Sequence, residues 1–323
     1  MTARSASACR VKSDLIEMTG GGIDISKVSK RFGDVQALSE IELSIQPGEL
    51  FGFLGPDGAG KTTLFRLIAT LLIPDSGSVT VLGNDTVKDF QKLRTMLGYM
   101  PGRFSLYPDL SVIENLEFYA TVFGTTIEKN YHLIKEIYER LEPFANRQAK
   151  KLSGGMKQKL ALCCALIHKP KVLLLDEPTT GVDPVSRREF WEMLNKLREQ
   201  EITTVVSTPY MDEATRCDRV ALMQNGKILR TDAPSKIVSS FGHEIFSVRG
   251  KQMHTLLNDI RNYPFTKQAY AFGDSIHYLD KQEHANQTEL KNFLTEKGHE
   301  QIEIEKSEPL IEDCFISLMK EEA

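Results

Sequence analysis

The sequence predicts an α/β fold built on a parallel sheet, followed by a smaller α+β unit towards the C-terminal end. Near-continuous apolar runs at 49–54 and 171–176 are typical of parallel strands that are buried on both faces. Stretches with helical periodicity follow these runs, as the crossover connections of a parallel sheet require. From about residue 241 the strands become short and alternating, which indicates a second unit.

The first unit follows a small, polar segment, residues 1–22, that is typical of a loose tail. Alternating apolar residues predict two strands before the first buried run, and Asn225-Gly226 predicts a hairpin near the end of the unit. The predicted strands are 23–28, 37–45, 49–54, 78–82, 171–176 and 203–207, with the hairpin over 218–230. The predicted helices are 61–69, a periodic region at 111–147, and then 157–168, 184–199 and 210–216.

The second unit has the predicted order β-α-β-β-α-β, which is typical of a ferredoxin-like fold. Its strands are 244–249, 267–272, 276–279 and 301–305, its helices are 251–262 and 288–297, and a final helix covers 309–320. Regulation, clamping of a dimer and ligand sensing all remain open as functions of residues 241–323. His277, Tyr278 and His284 do not predict a site, because isolated residues of these types are more often ordinary surface or core positions.

The composition excludes several classes of protein. Of the 323 residues, 41% are hydrophobic and 26% are charged, as in ordinary globular proteins, and a net charge of −4 offers no positive field for nucleic acid. The longest apolar runs, 67–73 and 160–167, are far shorter than the roughly 20 residues of a membrane span. The first residues lack the apolar core of a signal peptide. Five scattered cysteines fit reduced thiols in a cytosol, and no metal site is expected from them.

A glycine-rich segment joins the buried run 49–54 to the following helix. It consists of Gly55, Pro56, Asp57, Gly58, Ala59, Gly60, Lys61, Thr62 and Thr63. Gly58 and Gly60 allow backbone N–H groups to curve around an anion, and the helix start adds the positive end of its dipole. Lys61 can reach the β- and γ-phosphates of a nucleotide, and the Thr62 hydroxyl suits a bridging Mg²⁺ ion. The segment therefore predicts binding of a nucleoside triphosphate.

Two further segments narrow this prediction. Asp176 ends a buried strand and can hold Mg²⁺ through water, and Glu177 can polarise the attacking water as a general base. A second helix start suited to an anion contains Leu152, Ser153, Gly154, Gly155 and Met156. Because the chain already has one phosphate loop, this second helix start is expected to contact a different phosphate. Two subunits docked head to tail would place each such helix start over the nucleotide of the other.

These segments, together with Thr180-Gly181-Val182-Asp183, occur in the order typical of the ATP-binding cassette family, which the sequence resembles over about residues 23–240. The resemblance implies a RecA-like P-loop nucleotide-binding core with an antiparallel β subdomain and a helical subdomain at about 85–165. It also implies ATP and Mg²⁺ as ligands, and ATP hydrolysis with Glu177 as the catalytic base. Within the family, the sequence looks most like the exporter branch, and there like the first cassette of tandem YbhF-type efflux ATPases.

The resemblance assigns further roles residue by residue. Leu152–Met156 matches the signature motif, which contacts ATP on an opposite cassette, and Asp183 matches the loop that touches that opposite site. Phe32 matches the aromatic residue that stacks on adenine, with an ordinary core position as the alternative.

Three positions depart from the family pattern. Gly102 stands where a Gln usually helps to hold Mg²⁺, and Pro209 stands where a His usually contacts the γ-phosphate. Neither glycine nor proline offers a side-chain donor, so neither can substitute chemically. Asp57 replaces a common Asn and places a carboxylate near the phosphates. We therefore expect an asymmetric pair, in which this chain's own ATP site hydrolyses slowly and its signature motif completes the site of a partner cassette.

The resemblance also implies partners and a location. The partners would be transmembrane permease subunits and a second cassette, with a heterodimer favoured and a homodimer open, and with no nucleic acid. The location would be cytoplasmic, peripheral on the inner face of the cell membrane, and the role small-molecule or drug efflux. A cleft near 88–118 would grip a permease helix through the apolar loop 104–108, for which simple loop packing is the alternative. The competing functions are a regulatory cassette without transport and a catalytically silent, ATP-clamped partner.

Overall fold

The computed structural model describes residues 22–102, 105–282 and 286–321. The tail predicted at 1–22 lies outside the described residues except for Gly22, and so do Phe104 of the predicted permease loop and His284. Within the described ranges, no helix is both long enough and apolar enough to cross a membrane.

The first unit has the following elements: β1 (Ile23–Phe32), β2 (Val35–Ile45), β3 (Leu50–Leu54), α1 (Lys61–Ile68), β4 (Ser76–Val81), β5 (Asn84–Asp85), α2 (Phe90–Arg94), β6 (Leu97–Met100), α3 (Val112–Val122), α4 (Ile127–Tyr138), α5 (Gly154–Leu166), β7 (Val172–Asp176), α6 (Pro184–Leu197), β8 (Thr203–Thr208), β9 (Arg219–Gln224), β10 (Lys227–Asp232) and α7 (Pro234–Ser239). Short 3-10 helices cover Glu142–Phe144, Ala149–Lys151, Arg198–Gln200 and Met211–Arg216.

Two predicted helical regions differ from the structure. The periodic region 111–147 is divided because Gly124, with φ of 65°, ends α3 in the left-handed conformation that glycine tolerates. The segment 210–216 is a 3-10 helix rather than an α-helix.

The central sheet has the order β10-β9-β3-β8-β7-β6, and all neighbouring strands are parallel except the edge pair β9 and β10. Every residue of β3, β7 and β8 is buried. This confirms the predicted α/β class. The register pairs Leu54 with Thr208 and Asp176 with Ser207, so the carboxyl ends of β3, β8 and β7 meet at one edge of the sheet. The segments that follow these strands carry the predicted site residues.

A second sheet, with the antiparallel order β2-β1-β4-β5, shares one core with α1 and part of the central sheet. Phe53 lies at the centre of this core, with ring centroids 5.1 Å from Phe51 and 5.9 Å from Phe65 in edge-to-face geometry. The remaining side of the central sheet is covered by α5, which also packs against α3 and α4. These helices form the helical part of the first unit.

The second unit consists of β11 (Ile245–Arg249), α8 (Met253–Asn262), β12 (Thr266–Phe272), β13 (Ser275–Asp280), α9 (Gln287–Glu296), β14 (Glu303–Ser307) and α10 (Ile311–Glu321). Its sheet is antiparallel throughout, in the order β12-β13-β11-β14. Apolar side chains of α8 and α9 pack on this sheet in a core of their own. The chain therefore has the small C-terminal α+β appendage that the sequence predicts.

Helix α10 joins the two units through its packing. Ile311, Cys314 and Phe315 are buried in the core of the first unit, where α10 contacts α7 and the 3-10 helix Met211–Arg216. On the other side, the carboxylate of Asp313 is buried and accepts hydrogen bonds from Tyr270 Oη at 2.5 Å and Leu310 N at 2.6 Å. His277 Nδ1 lies 2.6 Å from the same carboxylate. Asp313 thus holds α10 to strands β12 and β13.

We expect Asp313→Ala to lower the free energy of unfolding by about 3 kcal/mol, because it leaves several buried polar groups without a partner, at a cost of 1–3 kcal/mol each. Scanning calorimetry measures the effect. Glu312→Ala is the matched control, because Glu312 is exposed on the same helix and should change stability little. Equal transition temperatures for the two variants would contradict the assigned role of Asp313.

Candidate active site

The glycine-rich loop follows β3 and ends at Gly60, the residue before α1. Gly60 has a φ of 102°, a conformation that L side chains rarely adopt, and an added Cβ would lie 2.6 Å from the carbonyl oxygen of Ala37. At Gly55 an added Cβ would lie 2.2 Å from the carbonyl oxygen of Met223. Both positions therefore require glycine, and the backbone is held in an open curve at the start of α1.

Lys61 is buried at the first position of α1. Its Nζ donates to the carbonyl oxygens of Gly55 at 2.8 Å and Pro56 at 3.1 Å, so the side chain folds back over the loop. The same Nζ lies 3.4 Å from Glu177 Oε1. The Lys61 ammonium group therefore lies between the glycine-rich loop and the Glu177 carboxylate.

Asp176 and Thr62 face each other across the sheet edge. Thr62 Oγ1 donates to Asp176 Oδ1 at 3.2 Å, and Ser207 Oγ donates to the same oxygen at 2.6 Å. Asp176 is only 2% exposed. A hydroxyl beside a buried carboxylate suits Mg²⁺, which prefers oxygen ligands and takes few of them from protein when phosphates supply the others. In the described part of the chain, no three His, Cys, Asp or Glu residues cluster as metal ligands.

Glu177 has an unusual backbone. Its φ of 51° is in the left-handed region, which costs a residue other than glycine on the order of 1–3 kcal/mol. Two hydrogen bonds stabilise this strained backbone. The Glu177 N–H donates to Ser207 O at 3.1 Å and to Ser207 Oγ at 2.9 Å. Thr180 Oγ1 also donates to Glu177 Oε2 at 3.4 Å. The carboxylate is therefore directed towards Lys61 and the loop.

Ser207 is a site residue that the motifs did not identify. It is fully buried, and it bonds both to the Asp176 carboxylate and to the backbone of Glu177. The available signal was the pairing of adjacent parallel strands, which places a hydroxyl at the end of β8 opposite Asp176.

Tyr99 on β6 is also nearby. Burial, with a smaller contribution from the Asp176 carboxylate, raises the pKa of Tyr99 to about 12, so its phenol stays protonated.

The predicted signature segment begins α5. Ser153 is the N-cap and accepts a hydrogen bond from Met156 N at 3.3 Å. An added Cβ at Gly155 would lie 2.7 Å from Ser186 Oγ, and one at Gly154 would lie 3.4 Å from the carbonyl oxygen of Gly181. The start of α5 therefore packs against the first turn of α6 and the loop that leads into it, rather than against the chain's own glycine-rich loop.

Asp183 lies in that second loop and caps α6. Its Oδ1 accepts from Ser186 N at 3.0 Å and Val185 N at 3.1 Å, and the Ser186 bond contributes most to lowering the pKa of Asp183.

Phe32 lies at the end of β1 and is 47% exposed, which excludes the alternative of a core position. Lys30 Nζ lies 5.7 Å from the centre of the Phe32 ring.

Two of the three departures from the family pattern, Gly102 and Pro209, lie beside the acidic pair. A Cβ added at Gly102 would lie 3.0 Å from the carbonyl oxygen of Asp176 and 3.7 Å from Glu177 Cβ. Pro209 directly follows Thr208, the last residue of β8. Both positions therefore border the segment that carries Asp176 and Glu177.

Comparisons with known proteins identify the family of the chain. Residues 38–180 match the family model described as ABC transporter. The chain is 40% identical over 308 residues to the probable multidrug ABC transporter ATP-binding protein YbhF of Escherichia coli K12, a match that covers 94% of the chain and 53% of YbhF. The chain thus spans about half the length of that relative. It is 38% identical to the Nod factor export ATP-binding protein I of Rhizobium etli, over 72% of the chain and 75% of that protein.

Solved structures show the same fold. The cassette MJ0796, solved as a dimer in a post-hydrolysis state with ADP and phosphate, is 28% identical with a TM-score of 0.59, covering 65% of this chain and 98% of that one. The cassette cbiO1 of Clostridium perfringens, part of the transporter complex cbiONQ, is 27% identical with a TM-score of 0.60, covering 68% and 90%. The predicted likeness to YbhF is confirmed, and the chain belongs to the ATP-binding cassette family of ABC transporter ATPases.

Proposed function

We propose that this chain is the ATP-hydrolysing subunit that drives an exporter of small molecules. The observation that carries the proposal is the meeting of Lys61, Thr62, Asp176 and Glu177 at the carboxyl ends of adjacent parallel strands. Export is supported by relatives whose names refer to multidrug transport and Nod factor export. The chain's own cargo and direction of transport are part of the proposal.

In the proposed reaction, the backbone N–H groups of the glycine-rich loop and the Lys61 ammonium bind the triphosphate. Phe32 stacks on the adenine, which its exposure permits. Thr62 and Asp176 would hold Mg²⁺, which neutralises charge on the phosphates. Glu177 accepts a proton from the attacking water, and its strained, doubly hydrogen-bonded backbone keeps the carboxylate in position to do so.

We further propose that ATP joins two cassettes head to tail. Ser153, Gly154 and Gly155 would then contact ATP on the partner cassette, and Asp183 would touch the partner's site. The packing of Gly155 against Ser186 supports this arrangement, because it makes the signature segment and the Asp183 loop one continuous surface. A heterodimer is favoured because Gly102 and Pro209 leave this chain's own site without two side-chain donors.

We also propose that the chain divides into an ATP-binding domain at 23–240, with a helical subdomain at about 85–165, and an accessory domain at 241–323. The accessory domain has its own apolar core and a ferredoxin-like strand order, which supports the division. The chain would act at the inner face of the membrane by attachment to permease subunits.

The permease contact is proposed to be an apolar cleft between β6 and the helices α3 and α5, which extends beyond the predicted region 88–118. Of the loop 104–108, Ser105 lines this cleft and Leu106 is buried. The cleft has a volume of about 400 Å³, and apolar atoms provide most of its lining. Its lining includes Leu71, Tyr99, Val122, Phe123, Ala161 and Cys164. Leu71 and Val122 are exposed at 51% and 61%, which is unusual for large apolar side chains that lie together, and such patches mark contact surfaces. A helix of the membrane subunit has the shape and apolar character to fill it.

Leu71→Glu and Val122→Glu are each expected to lower by about tenfold the amount of tagged chain that stays with washed membranes of the native host, because a charge would be buried in the contact. Quantitative immunoblotting of the membrane fraction measures this. Leu310→Glu is the matched control, because Leu310 is an exposed leucine outside the cleft. Membrane retention that is unchanged in the cleft variants would contradict the docking proposal.

A further inference from the structure

Glu213 is a buried carboxylate to which no motif assigned a role. It lies in the 3-10 helix Met211–Arg216 and is only 3% exposed. Its Oε2 accepts hydrogen bonds from Thr208 Oγ1 at 2.5 Å and Thr179 Oγ1 at 3.2 Å. On its other side, Oε1 lies 3.5 Å from Arg187 Nε on α6. A carboxylate is rarely buried without such partners, because desolvation of the charge is costly.

The partners of Glu213 belong to the two segments that leave the ends of β7 and β8. Thr179 is two residues after Glu177, and Thr208 directly precedes Pro209. Both threonines are 1% exposed, so water does not compete for their hydroxyls. Nearer the sheet, the same two segments are joined by the bonds between Ser207 and Glu177. Glu213 therefore supplies a second connection between the two segments, through Thr179 and Thr208.

Arg187 extends this connection to α6. Its Nη2 bonds Asp212 Oδ2 at 2.6 Å, and its guanidinium carbon lies 4.5 Å from the centre of the Tyr210 ring. The Tyr210 N–H donates in turn to Thr208 Oγ1 at 3.1 Å. The segment 208–213 is thus fixed on both sides, and the position of Pro209 within it is determined by side chains that do not face the triphosphate site.

We infer that Glu213 is a positioning residue for hydrolysis, which fixes the Glu177 segment relative to the segment that carries Pro209. The inference rests on the proposed hydrolysis by Glu177. Because Pro209 contributes no side-chain donor, the geometry of attack depends on where the backbone holds Glu177. The strained φ of Glu177 makes its placement sensitive to the loss of a nearby connection.

The test measures single-turnover hydrolysis of MgATP, with protein in excess, for Glu213→Met, Thr179→Val, their double variant and a matched control, all in the full chain. Glu213→Met keeps the length of the side chain but accepts no hydrogen bond, and Thr179→Val removes only one donor, which keeps the test valid if the first variant folds poorly. Glu192→Gln is the matched control, because Glu192 is an exposed acidic residue of α6 whose described ion pair, with Arg188, lies outside this network. Nucleotide affinity is measured in parallel by equilibrium binding of MgATP.

Glu213→Met is expected to lower the rate constant of hydrolysis about tenfold to a hundredfold, as a small misplacement of a reacting group does. Thr179→Val should lower it less, and the double variant should lose less than the product of the two single losses, because both remove the same connection. MgATP affinity should stay within about twofold of wild type, because Glu213 is not expected to touch the nucleotide. Glu192→Gln should hydrolyse at the wild-type rate.

Two results would overturn the inference. One is a wild-type rate in both Glu213→Met and Thr179→Val, and the other is a loss of MgATP affinity equal to the loss of rate. Glu177→Gln in the same assay separates this failure from that of the proposed function. Hydrolysis that persists in Glu177→Gln, or is absent in wild type, would refute the proposed function as well, whereas an inactive Glu177→Gln beside an unaffected Glu213→Met refutes only the role of Glu213.

Discussion

Glu177→Gln is expected to lower the steady-state ATPase rate by at least about a hundredfold, because an amide cannot accept a proton from the attacking water. The substitution keeps the shape of the side chain and the backbone bonds to Ser207, so the site should stay folded. It also removes the negative charge 3.4 Å from Lys61 Nζ, which leaves the ammonium group free to bind phosphates. MgATP should therefore bind as well as in wild type or more tightly.

Phosphate release and equilibrium nucleotide binding, measured on the same protein samples, check both parts of this expectation. Glu192→Gln provides the control for loss of one negative charge, because Glu192 is an exposed residue of α6 that pairs only with Arg188 among the ion pairs described. A variant that hydrolyses ATP as fast as wild type would show that Glu177 is not the general base. Weaker binding together with slower hydrolysis would indicate a structural effect instead.

Pro209→His combined with Gly102→Gln is expected to raise the ATPase rate by about a hundredfold, because each change returns a side-chain donor or ligand to the reacting phosphate. Pro209→His should supply more of this gain. The new Cβ at position 102 would lie 3.0 Å from the carbonyl oxygen of Asp176, so a side chain there must displace its neighbours by a few tenths of an ångström. The expected order of rates is therefore double variant, Pro209→His, Gly102→Gln, wild type.

Pro209→Ala and Gly102→Ala are the matched controls. The first changes the backbone freedom and the second adds a Cβ, and neither adds a polar group. Their rates should stay near that of wild type. A wild-type ATPase rate near 1 s⁻¹ or faster that neither restoration increases would refute the asymmetric-pair proposal. The chain's own site would then hydrolyse ATP at an ordinary rate without the Gln and the His. Such a result would indicate that other residues replace the absent Gln and His.

The parts of the fold that depend on local pattern could be predicted from sequence. The run Leu50–Leu54 with its glycines identifies strand, loop and helix together, because each requires a particular residue type over a short stretch. The division of the helical region at Gly124 could also have been anticipated from the preference of helix ends for glycine.

The connections between distant segments could not be predicted in this way. Ser207 and Glu213 act through partners that lie about thirty residues away in sequence, at Asp176, Glu177 and Thr179. Only the register of β7 against β8 brings them together, and no spacing within one segment encodes that register. The buried role of Asp313 was likewise not visible, because an acidic residue in the first turn of a helix is normally solvent-exposed.

The packing of α10 has a consequence for recombining this protein with its relatives. A crossover placed at residue 241, where the strands become short and alternating, would exchange Ile311 and Phe315 along with the accessory sheet. Those two side chains complete the core beneath Met211–Arg216. A chimaera would then have to reproduce the apolar match between a foreign helix and the segment that carries Glu213. The terminal helix is therefore shared between the two domains, because its apolar side chains complete the ATPase core and its buried Asp313 bonds to the accessory sheet.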